Sequence, residues 1–161
     1  MAVAAYLKIE GVDGESNEEN HIDWIEVLSH NFGGHTQGGG DYGSGHLAGK
    51  ASFHDFTFTK RCDKSTPKLF EACATGQNFK FADLECVRTA GDKTTYLKIH
   101  FEHLILSSYN TSGSAGDGGL PQESISFNFV KFDVTYKPLD KDGRPMGQVQ
   151  AGYDLKEQQA N

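Results

Sequence analysis

Apolar and polar residues alternate with period two through most of the chain, and that pattern predicts strands over 6–12, 22–28, 51–59, 79–88, 96–108 and 124–137. In 96–108, Leu97, Ile99, Phe101 and Ile105 share one face while Lys98, His100 and Glu102 share the other, so one side is core and one is wet. Two segments change phase. In 124–137, Ile125, Phe127 and Phe129 lie on one face and Val130, Phe132, Val134 and Tyr136 on the opposite one, which implies a bulge or a change of packing partner near Phe129. In 51–59, Phe53 is out of step with Phe56 and Phe58. Strands that swap faces fit a curved sheet closing on itself, or a strand covered on its outer side by another subunit.

A single segment departs from the strand period. Over 65–75, Leu69, Phe70 and Cys73 form one apolar stripe of a short helix. Ser65 or Thr66 is suited to the N-cap, Pro67 to the first turn and Gly76 to a left-handed C-terminal position. The surrounding strands predict a sheet for the helix to lie on. Between the strands, 33–49 holds eight glycines in seventeen residues, a loop of a length that is functional or mobile in compact domains. The stretch 138–161 starts as a turn-rich tail and adds a last edge strand through 149–154.

With 161 residues the chain is read as one domain, 1–161, able to bury a core without disulfides. Lys plus Arg less Asp plus Glu is 15 − 22 = −7 with no basic block, which argues against nucleic acid and against insertion into or attachment to an anionic membrane. The first residues lack a positive region, so the expectation is synthesis in the cytoplasm with no Sec signal peptide. Cys62, Cys73 and Cys86 lack CxxC spacing and read as reduced, buried thiols.

Candidate chemistry is thin. Gly38 to Gly43 matches GxGxxG literally, but no helix follows to receive a phosphate. Asp140-Lys141-Asp142-Gly143 has Ala151 where a calcium loop needs its last carboxylate, so it reads as a turn. His100 and His103 are three apart and point to opposite faces of a strand, so no metal site follows from them. No strained-turn nucleophile with a base is present. The expectation is therefore no enzyme, no cofactor and no metal, with self-association as the destination.

The ordered set Tyr6-Leu7-Lys8-Ile9, Gly14-Glu15-Ser16, Glu26-Val27-Leu28, the glycine-rich loop ending Gly49-Lys50, the helix signal from Asp63 to Gly76, Tyr96-Leu97-Lys98-Ile99, Glu123 to Phe129 and Tyr136-Lys137-Pro138 resembles the Hcp family, the tube-forming proteins of bacterial type VI secretion, similar in turn to phage tail-tube proteins. His30-Asn31-Phe32 and Tyr153 depart from the tryptophan-bearing patterns common there. The resemblance implies a mainly β fold, a closed β-barrel of two packed sheets with one short helix on its side. It further implies hexameric rings that stack into a tube, sheath, spike and baseplate proteins as partners, effector proteins in the lumen, and export by the type VI system itself.

On that resemblance, Gly38, Gly39, Gly40, Asp41, Tyr42, Gly43, Ser44 and Gly45 are the expected ring-stacking loop, where small residues permit close backbone approach. His30 and Asn31 are the expected lumen-facing residues. The rival reading is a soluble carbohydrate- or other ligand-binding β-sandwich that stacks Tyr42 and Tyr109 on a sugar; a hydrolase built on 33–49 is a third, for which no triad is evident.

Overall fold

The computed structural model describes residues 3–39, 47–89, 93–116, 119–157 and 159–160. The chain is mainly β. In order it forms β1 (Val3–Ile9), β2 (Ile25–Val27), β3 (Ser29–Asn31), β4 (Gly34–Gly39), β5 (Leu47–Phe53), β6 (Phe56–Arg61), α1 (Thr66–Thr75), β7 (Asn78–Arg88), β8 (Thr94–Ser112), β9 (Gln122–Asn128), β10 (Lys131–Tyr136), β11 (Val149–Asp154) and β12 (Gln159–Ala160). All pairings are antiparallel.

One ten-stranded sheet runs β12-β11-β10-β8-β7-β1-β2, with a branch in which β8 pairs β9, β9 pairs β6 and β6 pairs β3. The closed barrel of two packed sheets is not what the ladders form. β2 ends one path and β3 ends the other, with the chain continuous between them at Leu28, whose amide donates to the Thr59 carbonyl of β6. The second sheet is the two-stranded hairpin β4-β5.

β8 is the hinge of the architecture. Its first half lies between β7 and β10, and its second half pairs β9. The halves meet at His103, which has φ 58°, left-handed for a non-glycine residue, and the ladder to β9 slips between Leu106 and Ser108. That break resets the strand's parity: Phe101 and then Leu104 and Leu106 point inward, so Ile105, expected on the core face, is exposed. Opposite it, the phase change near Phe129, expected as a bulge or a change of packing partner, is the latter: the strand breaks between β9, which pairs β6, and β10, which pairs β11, and the Val130 amide donates to the Glu102 carbonyl. Both chains turn one corner together. The phase change at Phe53 has the same kind of cause, since β5 belongs to the hairpin and β6 to the large sheet.

The core is aromatic. Phe56, Phe58, Phe101 and Phe127 are fully buried with Leu7, Ile9, Ile25, Leu84, Leu104 and Ile125, and Phe32 packs edge-on against Phe101, Phe129 and Phe132. The helix inserts Leu69 and Ala72, while Phe70 is exposed and leans edge-on against Tyr109 at 5.0 Å. The buried stripe is thus spaced i, i+3, and burying Leu69 stabilises by about 1.5–3 kcal/mol.

Gly76 has φ 69° and ψ 32°, and its amide donates to the Ala72 carbonyl. The N-terminal arrangement differs from the expected cap. Ser65 makes no capping hydrogen bond; its hydroxyl is turned to the Asp63 carboxylate, which also accepts from the Ser65 amide at 2.8 Å, while the Thr66 hydroxyl accepts from the Asp63 amide at 3.0 Å. The Asp63 carboxylate thus fixes Ser65 and the chain entering the helix and does not accept from a helical amide.

Candidate functional site

The outward positions of the sheet divide into two unlike polar faces. On β1, β7, β8 and β10 the antiparallel registers align Lys8, Asp83, His100 and Asp133 in one row, Tyr6, Glu85, Lys98 and Thr135 in the next, and Phe81, Glu102 and Lys131 in a third. Opposite charges face one another across neighbouring strands, the arrangement that stabilises a sheet surface. The His100 ring bonds Asp83 at 2.6 Å through Nδ1 and sits 3.4 Å from Glu102 through Nε2. Above this face the buried His21 stacks on Tyr6 at 4.6 Å and bridges Glu18 to Glu85. The His21 hydrogen bond holds the Glu18 carboxyl below the usual carboxylate range.

The second face is chemically different. On β3, β6, β9 and the distal half of β8 the registers align Ser29, Thr59, Ser124 and Asn110 in one row and Asn31, Thr57, Ser126 and Ser108 in the next. Every position is a hydroxyl or an amide. Ser29 and Thr59 bond at 2.6 Å, and Thr57 and Ser126 at 2.9 Å. These two rows stay hydrated without presenting charge, in a chain whose formal net charge is −7, and the row beyond them, Arg61, Gln122 and Ser112, adds one exposed cation at the edge of the face.

Beneath the neutral face lies a polar lock. Lys60 and Glu123 are both 0% exposed and form an ion pair; Lys60 also donates to Asp63 at 3.0 Å and to Thr66 at 3.2 Å. Glu123 accepts from Thr66 at 2.9 Å and from the Tyr109 hydroxyl. Burial, and then the bond to Glu123, raises the Tyr109 phenol well above its ordinary value. Each charge in this network has several partners, which is what makes its burial tolerable. The network ties β6, β8 and β9 to the first turn of the helix. No periodicity signals it, because Lys60 and Glu123 occupy inward positions of β6 and β9 that an apolar pattern assigns to core.

The expected site residues fall as follows. Gly38 and Gly39 lie in β4 opposite Ala48 and Leu47, and Gly40, Asp41, Tyr42, Gly43, Ser44 and Gly45 lie outside the described residues. What read as a loop over 33–49 is therefore in part a hairpin held by backbone bonds. His30 and Asn31 are exposed neighbours on β3 and point to opposite sides of the strand. Asn31 joins the neutral face. His30 lies on the other side of the strand, is exposed, stacks on Phe56 at 6.2 Å and meets the Cys86 sulfur at 3.6 Å. Tyr109 points its hydroxyl at buried Glu123, so it does not offer the free ring that a sugar-stacking site requires.

These features describe a mainly β protein with extended polar sheet faces and a two-stranded hairpin that, among the described residues, is a sheet of its own. The family model described as "Type VI secretion system effector, Hcp" matches residues 6–136. The chain is 36% identical over 159 residues to Protein hcp1 of Pseudomonas aeruginosa strain PAO1, covering 98% of each. It is also similar to a solved "type six secretion system protein" with a TM-score of 0.94 and 34% identity, covering 99% of this chain and 100% of that one. Hcp1 from Salmonella typhimurium gives a TM-score of 0.82 and 32% identity, with 100% of both chains covered. The chain belongs to the Hcp family of type VI secretion tube proteins. Among the described residues, no helix is long and apolar enough to cross a membrane.

Proposed function

We propose that copies of this chain assemble into hexameric rings that stack into the inner tube of a type VI secretion system, are exported with it, and carry effector proteins in the lumen. A contractile sheath, a baseplate and a spike are the implied partners. The reading rests first on the full-length match to the Hcp family. A tube needs one chain to carry two different interfaces, one closing the ring and one joining rings. The hairpin β4-β5 suits the second role, since among the described residues it pairs with no strand of the large sheet. Its Gly38 and Gly39, with the stretch through Gly45, form the proposed stacking loop.

The neutral face suits the lumen. Walls of a narrow pore bring like surfaces from identical copies toward one another, and in a chain of net charge −7 a wall without charged rows reduces mutual repulsion there. Ser29, Asn31, Thr57, Thr59, Ser124 and Ser126 are the proposed lining. The sheet with Leu28 bridging β2 and β3 then acts as a barrel-like wall around the aromatic core.

Light scattering and negative-stain micrographs of the pure protein test the assembly: rings of six are expected, and a monodisperse monomer at high concentration refutes it. Replacing Thr57 and Ser126 together by lysine tests the lining. Rings should persist while effector retention falls; broken rings with cargo binding unchanged would move this face to a subunit interface.

A further inference from the structure

Charge is distributed unevenly along the chain. Residues 9–49 hold eight Asp and Glu residues and no Lys or Arg, which leaves 14 acidic against 15 basic residues elsewhere, so the net charge of −7 arises in this segment. Most of it lies at one edge of the ten-stranded sheet. β2 ends the strand path, and residues 13–16 are fixed beside it by the Gly14 amide donating to the Asp23 carbonyl at 2.7 Å and the Ser16 amide to the Trp24 carbonyl at 3.0 Å. At this edge Glu15 and Glu26 line a groove with Leu28, Leu120, Arg61 and Asp63, and both leucines are more than half exposed. Exposed apolar side chains among three carboxylates and one guanidinium fit a segment that offers apolar contact and positive charge.

The opposite end of the same strand path carries such a segment. Between β10 and β11 the turn 138–146 closes on itself, with the Met146 amide donating to the Pro138 carbonyl at 2.8 Å and the Asp140 amide to the Arg144 carbonyl at 2.9 Å. The Asp140 carboxylate is turned back onto the amides of Asp142 and Arg144, at 2.9 and 2.8 Å, so the exposed charges of the turn are Lys141 and Arg144 against Asp142 alone. Met146 and Val149 follow, each more than half exposed. We propose that these two unlike edges close the ring: Met146 and Val149 of one copy seat on Leu28 and Leu120 of the next, with Lys141 and Arg144 beside Glu15 and Glu26.

This contact presupposes the hexameric reading above and supplies its ring-closing surface. A head-to-tail contact between different surfaces is the kind that closes into a ring, whereas a surface meeting its own copy gives a two-fold dimer. Two acidic edges repel each other, which disfavours the two-fold pairing and favours the unlike one. Both sides are ordered before they meet. The turn is held by its own backbone bonds, and buried His21, set between Glu18 and Glu85, pins the β1–β2 connection. Docking therefore spends little on ordering either segment. Because its charges lie at the surface, the contact weakens as salt rises.

The test uses the full chain with Cys62→Ser and Cys73→Ser, which leaves only the buried Cys86. Leu28→Cys and Met146→Cys are added singly and together, each protein is treated with a short bismaleimide, and linked chains are read on a denaturing gel. Light scattering on the untreated proteins reports rings independently. The paired variant should give a ladder of linked chains up to six, while each single variant runs as one chain. Rings without a ladder overturn this contact and leave the hexamer standing; a parent chain that scatters as a monomer overturns both. Linked dimers from a single variant overturn it in favour of a two-fold contact. Lys141→Glu with Arg144→Glu gives a second measurement: the concentration at which rings half-assemble should rise at least about tenfold, and Glu15→Lys with Glu26→Lys in the same chain should restore it. An unchanged midpoint, or one the second pair does not restore, overturns the proposed charge pairing. Circular dichroism checks that each variant keeps the fold.

Discussion

Replacing Lys60 by methionine removes the positive charge from the polar lock while keeping an apolar stem of similar length. The substitution leaves Glu123, 0% exposed, without its cation. Breaking a buried pair from one side costs about 3–5 kcal/mol, because the remaining charge is neither solvated nor paired. Glu123 keeps the Thr66 and Tyr109 hydroxyls as donors, so the lower end of that range, about 3 kcal/mol, is expected. For a chain of 161 residues that is a fall in Tm of about 6–12 °C. Adding Glu123→Gln should recover more than half of the loss, since a neutral amide still accepts from Thr66 and Tyr109. Urea denaturation at one fixed protomer concentration measures both variants, because association would otherwise shift the apparent stability. A Lys60→Met protein within about 1 kcal/mol of the parent, or a double variant no better than the single, refutes the claim that the buried charge needs its partner.

Gly76→Ala places a side chain at φ 69° with no atom within 4 Å of the new Cβ, so only the backbone conformation is strained; a loss of about 1 kcal/mol by chemical denaturation is expected. The depressed Glu18 carboxyl makes a stabilising contribution that is fully present above its ordinary value of 4.5 and is lost as pH falls through the lower folded value. Acid unfolding of Glu18→Gln should accordingly show a flatter pH dependence below that value than the parent. Gly34→Ala would put its Cβ 2.4 Å from the Phe53 ring and 2.9 Å from the Ser52 carbonyl at the root of the hairpin. Micrographs should then show rings retained but tubes shortened, and near-ultraviolet circular dichroism should report a displaced Phe53.

Where side chains carry the periodicity, the residues predict the elements well. The strand over 79–88 differs from β7 by one residue, the helix over 65–75 from α1 by one, and the edge strand 149–154 coincides with β11. The expected strand over 22–28 contracts to Ile25–Val27 because Asp23 turns left-handed, with φ 64°, and leaves Ile22 in solvent. The hairpin β4-β5 is built by backbone bonds through glycines, which carry no alternation to read. The polar lock was hidden for a complementary reason: Lys60 and Glu123 break the apolar rule on their own strands, and the partner that excuses each is 63 residues away.

The two polar faces were equally hidden, and β8 explains why. Its first half turns Lys98, His100 and Glu102 outward and its second half Ser108 and Asn110. In sequence both sets are the wet half of an alternating strand. Only the left-handed residue at His103, with the matching break between β9 and β10, separates them in space and gives each half a different set of neighbours. The charged rows draw on β1, β7 and β10, and the neutral rows on β3, β6 and β9. One strand thus supplies a charge-paired surface at one end and an uncharged one at the other. The proposed ring, in which a protomer touches its neighbours on one side and leaves a passage on another, calls for surfaces that differ in this way.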